Sequence, residues 1–365
     1  MEKDNTERMT EQPFVLQGEK IAPGERRIIP LLVGLATTHE VVEMRTVIVR
    51  GKHPGPTLLL LGCLHGDEVN GTEILRRVLK SKALQRLRGM LIAVPIVNVP
   101  AFQNRSRYLP DRRDLNRLFP GSPSGSLGAR IAHVISSELL PRADAVIDLH
   151  TGAVNRPNYP QVRVTPDDPG SLALAEAFDA PVTLLAALRD SSLRSICMKQ
   201  RTPIILFESG EALRLDSASI RIGVRGIFAA MRHLGLLPKP QKDGIKPRAH
   251  SLKCHKSIWA RAPVGGLFTP LQPLGRAVRE NDVLGFVSDP FGDKEQPVLA
   301  PKAGILIGRT DEGLADEGDA LFHIAPIVDP AQGLARVQQS AQELTRIPAD
   351  EDDHPVPYDP FVDVV

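Results

Sequence analysis

Near-continuous apolar runs of strand length recur through the first two thirds of the chain: Thr57-Leu58-Leu59-Leu60-Leu61-Gly62-Cys63-Leu64, Leu91-Ile92-Ala93-Val94-Pro95-Ile96-Val97, Ala145-Val146-Ile147-Asp148-Leu149 and Pro203-Ile204-Ile205-Leu206-Phe207. Runs of this kind read as strands buried on both faces, the pattern of a parallel or mixed sheet. Between and after them the period changes to that of a helix. Residues 126–140 place Leu127, Ile131, Val134, Ile135 and Leu139 on one stripe, with Ser124 or Ser126 available as a cap. A second helix over about 217–236 carries Ile220, Val224, Ile227, Met231 and Leu234 before the Leu237-Pro238-Lys239-Pro240 break. The alternation predicts an α/β fold, with a mostly parallel or mixed central sheet flanked by helices.

The break at 237–240 and the polar Gln241-Lys242-Asp243-Gly244 mark a domain boundary. Beyond it come short strand-like runs separated by turn residues: 265–268, 274–278, 283–287, 298–307 and 318–324. They predict a small all-β unit. Its turns and its Ala300-Pro301-Lys302-Ala303-Gly304 run resemble the lipoyl/biotinyl barrel-sandwich hybrid. Lys294 falls near where such carriers hold a modified lysine, but the flanking carrier signature is missing, so an exposed turn lysine is the better reading. The expected organisation is therefore residues 1–240 as an α/β domain with an N-terminal β extension, 250–328 as the β unit, and 331–365 as a tail. That tail contains Asp350-Glu351-Asp352-Asp353 and several prolines, which suits a solvated, loosely ordered extension.

At 365 residues with 42% hydrophobic content and net charge +2, the composition is that of an ordinary globular protein. No strong basic field points to nucleic acid. The polar start Met1-Glu2-Lys3-Asp4-Asn5-Thr6-Glu7 lacks the apolar core of a secretory signal, and no apolar run nears the roughly 20 residues that span a membrane. A cytoplasmic location is expected. Cys63, Cys197 and Cys254 are scattered and odd in number, against a disulfide framework. Cys63 precedes His65 closely, but a small buried hydrophobe is the simpler reading. Cys254-His255 has no matching pair, against a Cys/His metal site there.

Candidate chemistry begins at His65-Gly66-Asp67-Glu68, where an imidazole and a carboxylate stand three residues apart at the end of a buried strand. With ten histidines and 43 acidic residues such pairs arise by chance. The second strand-to-histidine junction, at His150, changes this, because ligands at the carboxyl ends of neighbouring strands converge on one crevice. His65, Glu68 and His150 together make a two-histidine, one-carboxylate set, enough for a catalytic zinc with an open position.

Four ordered segments then carry a family resemblance: GCLHGDEVNG around His65, DLNRLFPG at 114–121, DLHTG at 148–152 and FESGE at 207–211. Over roughly residues 45–235 the chain resembles the succinylglutamate desuccinylase/aspartoacylase family of the zinc carboxypeptidase clan. The resemblance implies one zinc ion per chain on His65, Glu68 and His150, a substrate carboxylate held by Asn116 and Arg117, a general base at Glu208, and hydrolysis of the amide bond of small N-acylated amino acids. It also implies an upstream arginine that polarises the scissile carbonyl. Arg107 is the choice, with Arg112 and Arg113 open, because the loop is longer than the family pattern.

Residue chemistry runs parallel to the resemblance. Glu208 ends its apolar run as His65 and His150 end theirs, within reach of the same cleft, where a carboxylate can carry protons; its alternative role is to cap the following turn. Arg105, Arg107, Arg112, Arg113 and Arg117 crowd one loop, which suits an anionic substrate, although a solvated basic loop is the better reading for most of them; the resemblance implies a small anionic N-acyl amino acid as partner. Neither nucleic acid nor membrane is expected as a partner, and a homo-oligomer stays open. Two further readings share these residues: a zinc carboxypeptidase acting on peptides, separable by cleft volume, and a non-catalytic binding or carrier protein.

Overall fold

The computed structural model describes residues 14–239, 251–327 and 335. The expected boundary at 237–244 therefore falls mostly outside the described residues, as do the N-terminal 13 residues and the acidic tail. One large sheet organises the rest. At its centre the strands Arg88–Val94, His53–Gly62, Ala145–Gly152 and Ile204–Glu211 lie side by side and parallel. Arg26–Leu35 and Val41–Arg50 extend one side antiparallel, and Asn158–Val164 flanks the other, antiparallel to Ile204–Glu211.

The leucine run shows why the centre is buried on both faces. Leu58 and Leu60 point to one side, into a core shared with the helices Asn70–Lys80, Pro169–Phe178 and Ser217–His233. Leu59 and Leu61 point to the other, against the helices Leu127–Val134 and Leu193–Gln200. All four are fully buried, each contributing about 1.5–3 kcal/mol by removal from water. That packing fixes the register, and the register aligns the strand ends: Glu208 is the partner of His150.

The expected helix at 126–140 begins at Leu127 with Ser126 capping it, but regular α geometry stops at Val134 and the chain continues through a wider turn, Ile135–Leu139. Pro141 sits beyond that turn, where the chain must leave the helix. The second helix runs Ser217–His233, capped by the Asp216 carboxylate on the Ser219 amide at 2.6 Å. Residues 251–327 are rich in short strands. A four-stranded antiparallel sheet (Glu295–Leu299, Val283–Ser288, Gly266–Pro270, Leu314–Ala315) packs over an apolar cluster that also takes in Leu306, Leu321, Phe322 and Ile324. Gly304–Arg309 and Ala320–Pro326 instead continue the large sheet outward from Asn158–Val164. Among the described residues no helix is long and apolar enough to cross a membrane.

Candidate metal centre and cavity

At Gly62 the strand ends, and Cys63 takes a left-handed backbone (φ 52°) that turns the chain out of the sheet. His65 and Glu68 follow in a tight turn closed by the Glu68 amide on the His65 carbonyl at 3.2 Å. Gly66 between them is obligatory: a Cβ there would stand 2.1 Å from the Ala101 carbonyl carbon. Asn70 ties this turn to the FESGE segment, its amide donating to the Ser209 carbonyl at 3.2 Å and accepting from the Asp216 amide at 3.0 Å.

His65, Glu68 and His150 are all buried, and one donor atom from each falls within 4.8 Å of the others. Glu68 stands between the rings: His65 Nδ1 is 2.7 Å from its Oε1 and His150 Nδ1 is 2.7 Å from its Oε2. The outer nitrogens are also engaged. His65 Nε2 lies 3.0 Å from Asp114, and His150 Nε2 lies 2.8 Å from Asp148. Each ring thus stands between two carboxylates, Glu68 on the inner side and Asp114 or Asp148 on the outer.

The electrostatics agree. Burial pushes the His65 and His150 pKa values down, but the neighbouring carboxylates more than reverse this, raising His65 above its usual value and His150 well above it. Glu68, which burial alone would raise, is held well below the usual carboxylate range by the two rings. Asp114 is likewise held low against burial by His65 and Arg107. This donor set suits zinc. Two imidazole nitrogens and one carboxylate converge, and each imidazole is oriented from behind by a carboxylate, the outer-shell arrangement of metal-binding histidines.

Around the three donors lies a cavity of about 220 Å³, lined also by Arg107, Asn116, Arg117, Arg163, Arg189, Arg194 and Glu208. The structure thus gathers His65, Glu68, His150, Arg107, Asn116, Arg117 and Glu208 around one cavity. Of the three candidate arginines only Arg107 lines it, its guanidinium donating to Glu68 at 3.0 Å and Asp114 at 3.3 Å. Arg112 and Arg113 are exposed, with Arg113 turned to Asp111 and Ser126. Asn116 accepts the Leu193 amide at 2.9 Å, so its carbonyl end is committed to the scaffold. Glu208 is gripped by a neighbouring strand: Asn158 donates to Oε1 at 3.1 Å, and Arg163 Nε stands 3.1 Å from Oε2.

Six residues at the site escaped the sequence reading: Asp114, Asp148, Asn158, Arg163, Arg189 and Arg194. Asp114 and Asp148 sit inside the quoted segments, and Asp148 shares a strand face with His150 two residues on, a signal within reach. Asn158, Arg163 and Arg194 carry no local signal. Cys63 is buried against Thr72, with burial pushing its thiol to about 12, so it is an inert core residue. Cys254 is buried, whereas His255 and Lys294 are exposed. Among the described residues His65, Glu68 and His150 form the one such cluster.

Comparison with known proteins agrees with this geometry. The succinylglutamate desuccinylase/aspartoacylase catalytic-domain model matches residues 54–234. The N-alpha-acetyl-L-2,4-diaminobutyric acid deacetylase of Halomonas elongata is 30% identical over 298 residues, covering 78% of this chain and 85% of that protein. A succinylglutamate desuccinylase/aspartoacylase crystal structure from Rhodobacter sphaeroides is 28% identical with a TM-score of 0.72, over 82% of this chain and 94% of its own. The product-bound ectoine utilization protein EutE (DoeB) of Ruegeria pomeroyi is 25% identical with a TM-score of 0.74, over 87% and 99%. With its sheet, its motif order and a relative this similar over most of both chains, the protein belongs to the succinylglutamate desuccinylase/aspartoacylase family.

Proposed function

We propose that the protein is a cytoplasmic zinc-dependent amidohydrolase that removes a short acyl group, acetyl first among the candidates, from a small N-acylated amino acid. The observation that carries this reading is the pair of carboxylate-backed imidazoles converging on Glu68, with Glu208 in register beside His150 at the same cavity. His65, Glu68 and His150 would hold one zinc ion, which when bound lowers the pKa of water and polarises a carbonyl. Glu208 takes the proton of the attacking water and delivers it to the departing amine. Arg107, already at the cavity wall beside Glu68, faces the charge that develops on the carbonyl oxygen. Asn116 and Arg117 hold the substrate carboxylate, for which the arginine-lined wall supplies a favourable field. Residues 1–240 carry this chemistry in the proposal, and 250–328 form a supporting β unit.

Cavity size favours a small acyl amino acid over a peptide. At about 220 Å³ it is below the roughly 300–1,000 Å³ of sites that enclose drug-sized ligands. The Halomonas elongata relative, a deacetylase of N-alpha-acetyl-L-2,4-diaminobutyric acid, supports the same class. Three free, buried cysteines accord with a reducing compartment. The test is elemental analysis of the purified protein combined with a screen of acetyl-, succinyl- and aspartyl-type amides, scored by amine release. About one zinc per chain, lost in His65→Ala and His150→Ala, together with chelator-sensitive cleavage, is expected. Full zinc content in both variants would remove the assigned centre; zinc without cleavage of any amide would favour a binding protein.

A further inference from the structure

The strand Asn158–Val164 supplies both groups that touch the Glu208 carboxylate. Asn158 donates to one oxygen at 3.1 Å, and Arg163 Nε lies 3.1 Å from the other. One oxygen accepts a hydrogen bond and the other faces a positive charge, which favours one orientation of the carboxylate. The same strand is in turn held from outside by the C-terminal strand Gly304–Arg309. Gly308 pairs with Asn158, and Gln161 donates to the Ile307 carbonyl at 3.2 Å. Just before the strand, the Arg309 and Asp311 amides donate to the Pro157 and Asn155 carbonyls at 3.3 and 2.7 Å. Gly308 has no room for a side chain: a Cβ there would stand 2.7 Å from Asn158 Oδ1, the other end of the amide that grips Glu208. His323, on the adjacent Ala320–Pro326 strand, is stacked on Trp259 at 4.3 Å. Burial first and the Arg163 charge second push its pKa down to about 3, leaving it neutral beside that guanidinium.

We propose that Asn158 and Arg163 are positioning residues for Glu208, and that the C-terminal strand Gly304–Arg309 sets their position through Gly308 and Ile307. The assignment rests on Glu208 being the general base. It gives the C-terminal region a role in the chemistry through the strand Asn158–Val164. Arg163 aims the carboxylate by charge; Asn158 fixes its rotation about the terminal bond.

The test uses the zinc-loaded full chain. Asn158→Leu, Arg163→Ala, Arg163→Lys and Gly308→Val are each made with Glu208 intact and again with Glu208→Gln, and kcat, KM and zinc content are measured. With Glu208 intact, Asn158→Leu, Arg163→Ala and Gly308→Val should lower kcat about 10–10²-fold, the scale of a small misplacement of a reacting group. KM and zinc content should stay within about threefold, a loss confined to the transition state, and Arg163→Lys should recover part of the rate. In the Glu208→Gln background the same substitutions should change nothing further, because the group they aim can no longer act. Equal losses in both backgrounds would show a merely structural role. A raised KM with kcat kept in Arg163→Ala would make Arg163 a substrate anchor instead. If Glu208→Gln itself keeps the parental rate, the general-base assignment falls; if it loses activity while Asn158→Leu and Arg163→Ala do not, the clamp alone falls.

Discussion

If His65, Glu68 and His150 hold zinc as proposed, the ion should stabilise the protein more as the pH rises, and the slope follows from the two imidazoles. Both rings have raised pKa values from the carboxylates around them, His150 the more. A raised folded value means that these contacts stabilise the metal-free chain fully below about pH 6.5, the unfolded value. That contribution is lost as the pH climbs through the folded values. Zinc needs both rings neutral, so loading releases two protons throughout the range in which the rings are charged. Each proton released makes apparent affinity rise about tenfold per pH unit, and two together about 100-fold, or about 2.7 kcal/mol per unit at fixed free zinc. The assay is the difference in Tm between zinc-buffered and chelator-treated protein at about pH 6, 7 and 8, with proton release counted by calorimetry in buffers of different ionisation enthalpy. A Tm difference flat across that range, with no proton release, would refute the raised values of the two rings or the zinc assignment itself.

Three further outcomes test individual residues. Asp148→Asn keeps the shape but removes the negative charge behind His150, and should weaken zinc binding about 10–100-fold in a competition titration while leaving the fold intact. Arg117→Ala should cost about 1.5–3 kcal/mol, roughly 10- to 150-fold in kcat/KM, for substrates with a free carboxylate, and far less for their amides or esters; equal losses would make Arg117 a scaffold residue. Glu208→Gln should keep zinc and substrate affinity while kcat falls about 10²–10⁴-fold, and loss of zinc in that variant would make Glu208 a ligand.

The central strands were legible because they are buried on both faces and so read as unbroken apolar runs. Their ends were legible for the same reason, since polarity returns at once with His65, His150 and Glu208. Asn158–Val164 was not: it carries Pro160, Gln161 and Arg163, and its polar positions face the cavity and the C-terminal strand rather than water. Pattern alone reads such a stretch as loop. The helix Asn70–Lys80 was hidden differently, because it starts inside the HGDEVNG segment, where Asn70 and Gly71 read as turn residues. Gly71 is there for packing: a Cβ would stand 3.1 Å from the Leu149 side chain. The partners of the candidate site residues were the least legible. Asn158 is 50 residues from Glu208 and Asp114 is 49 from His65, distances across which only the folded sheet brings side chains together.

The charge arrangement also bears on how such a site survives without its ion. Leaving one partner of a buried pair uncompensated costs about 3–5 kcal/mol, and this site buries Glu68, Asp148 and two imidazoles at 4% exposure or less. No member stands alone: Glu68 is bracketed by both rings and Arg107, and each ring has a second carboxylate behind it. Glu68, His65 and His150 can therefore be buried together with each charge partnered. Asp114 and Asp148 take the outer nitrogens of the two rings, which leaves the inner nitrogens and the Glu68 carboxylate converging on one point.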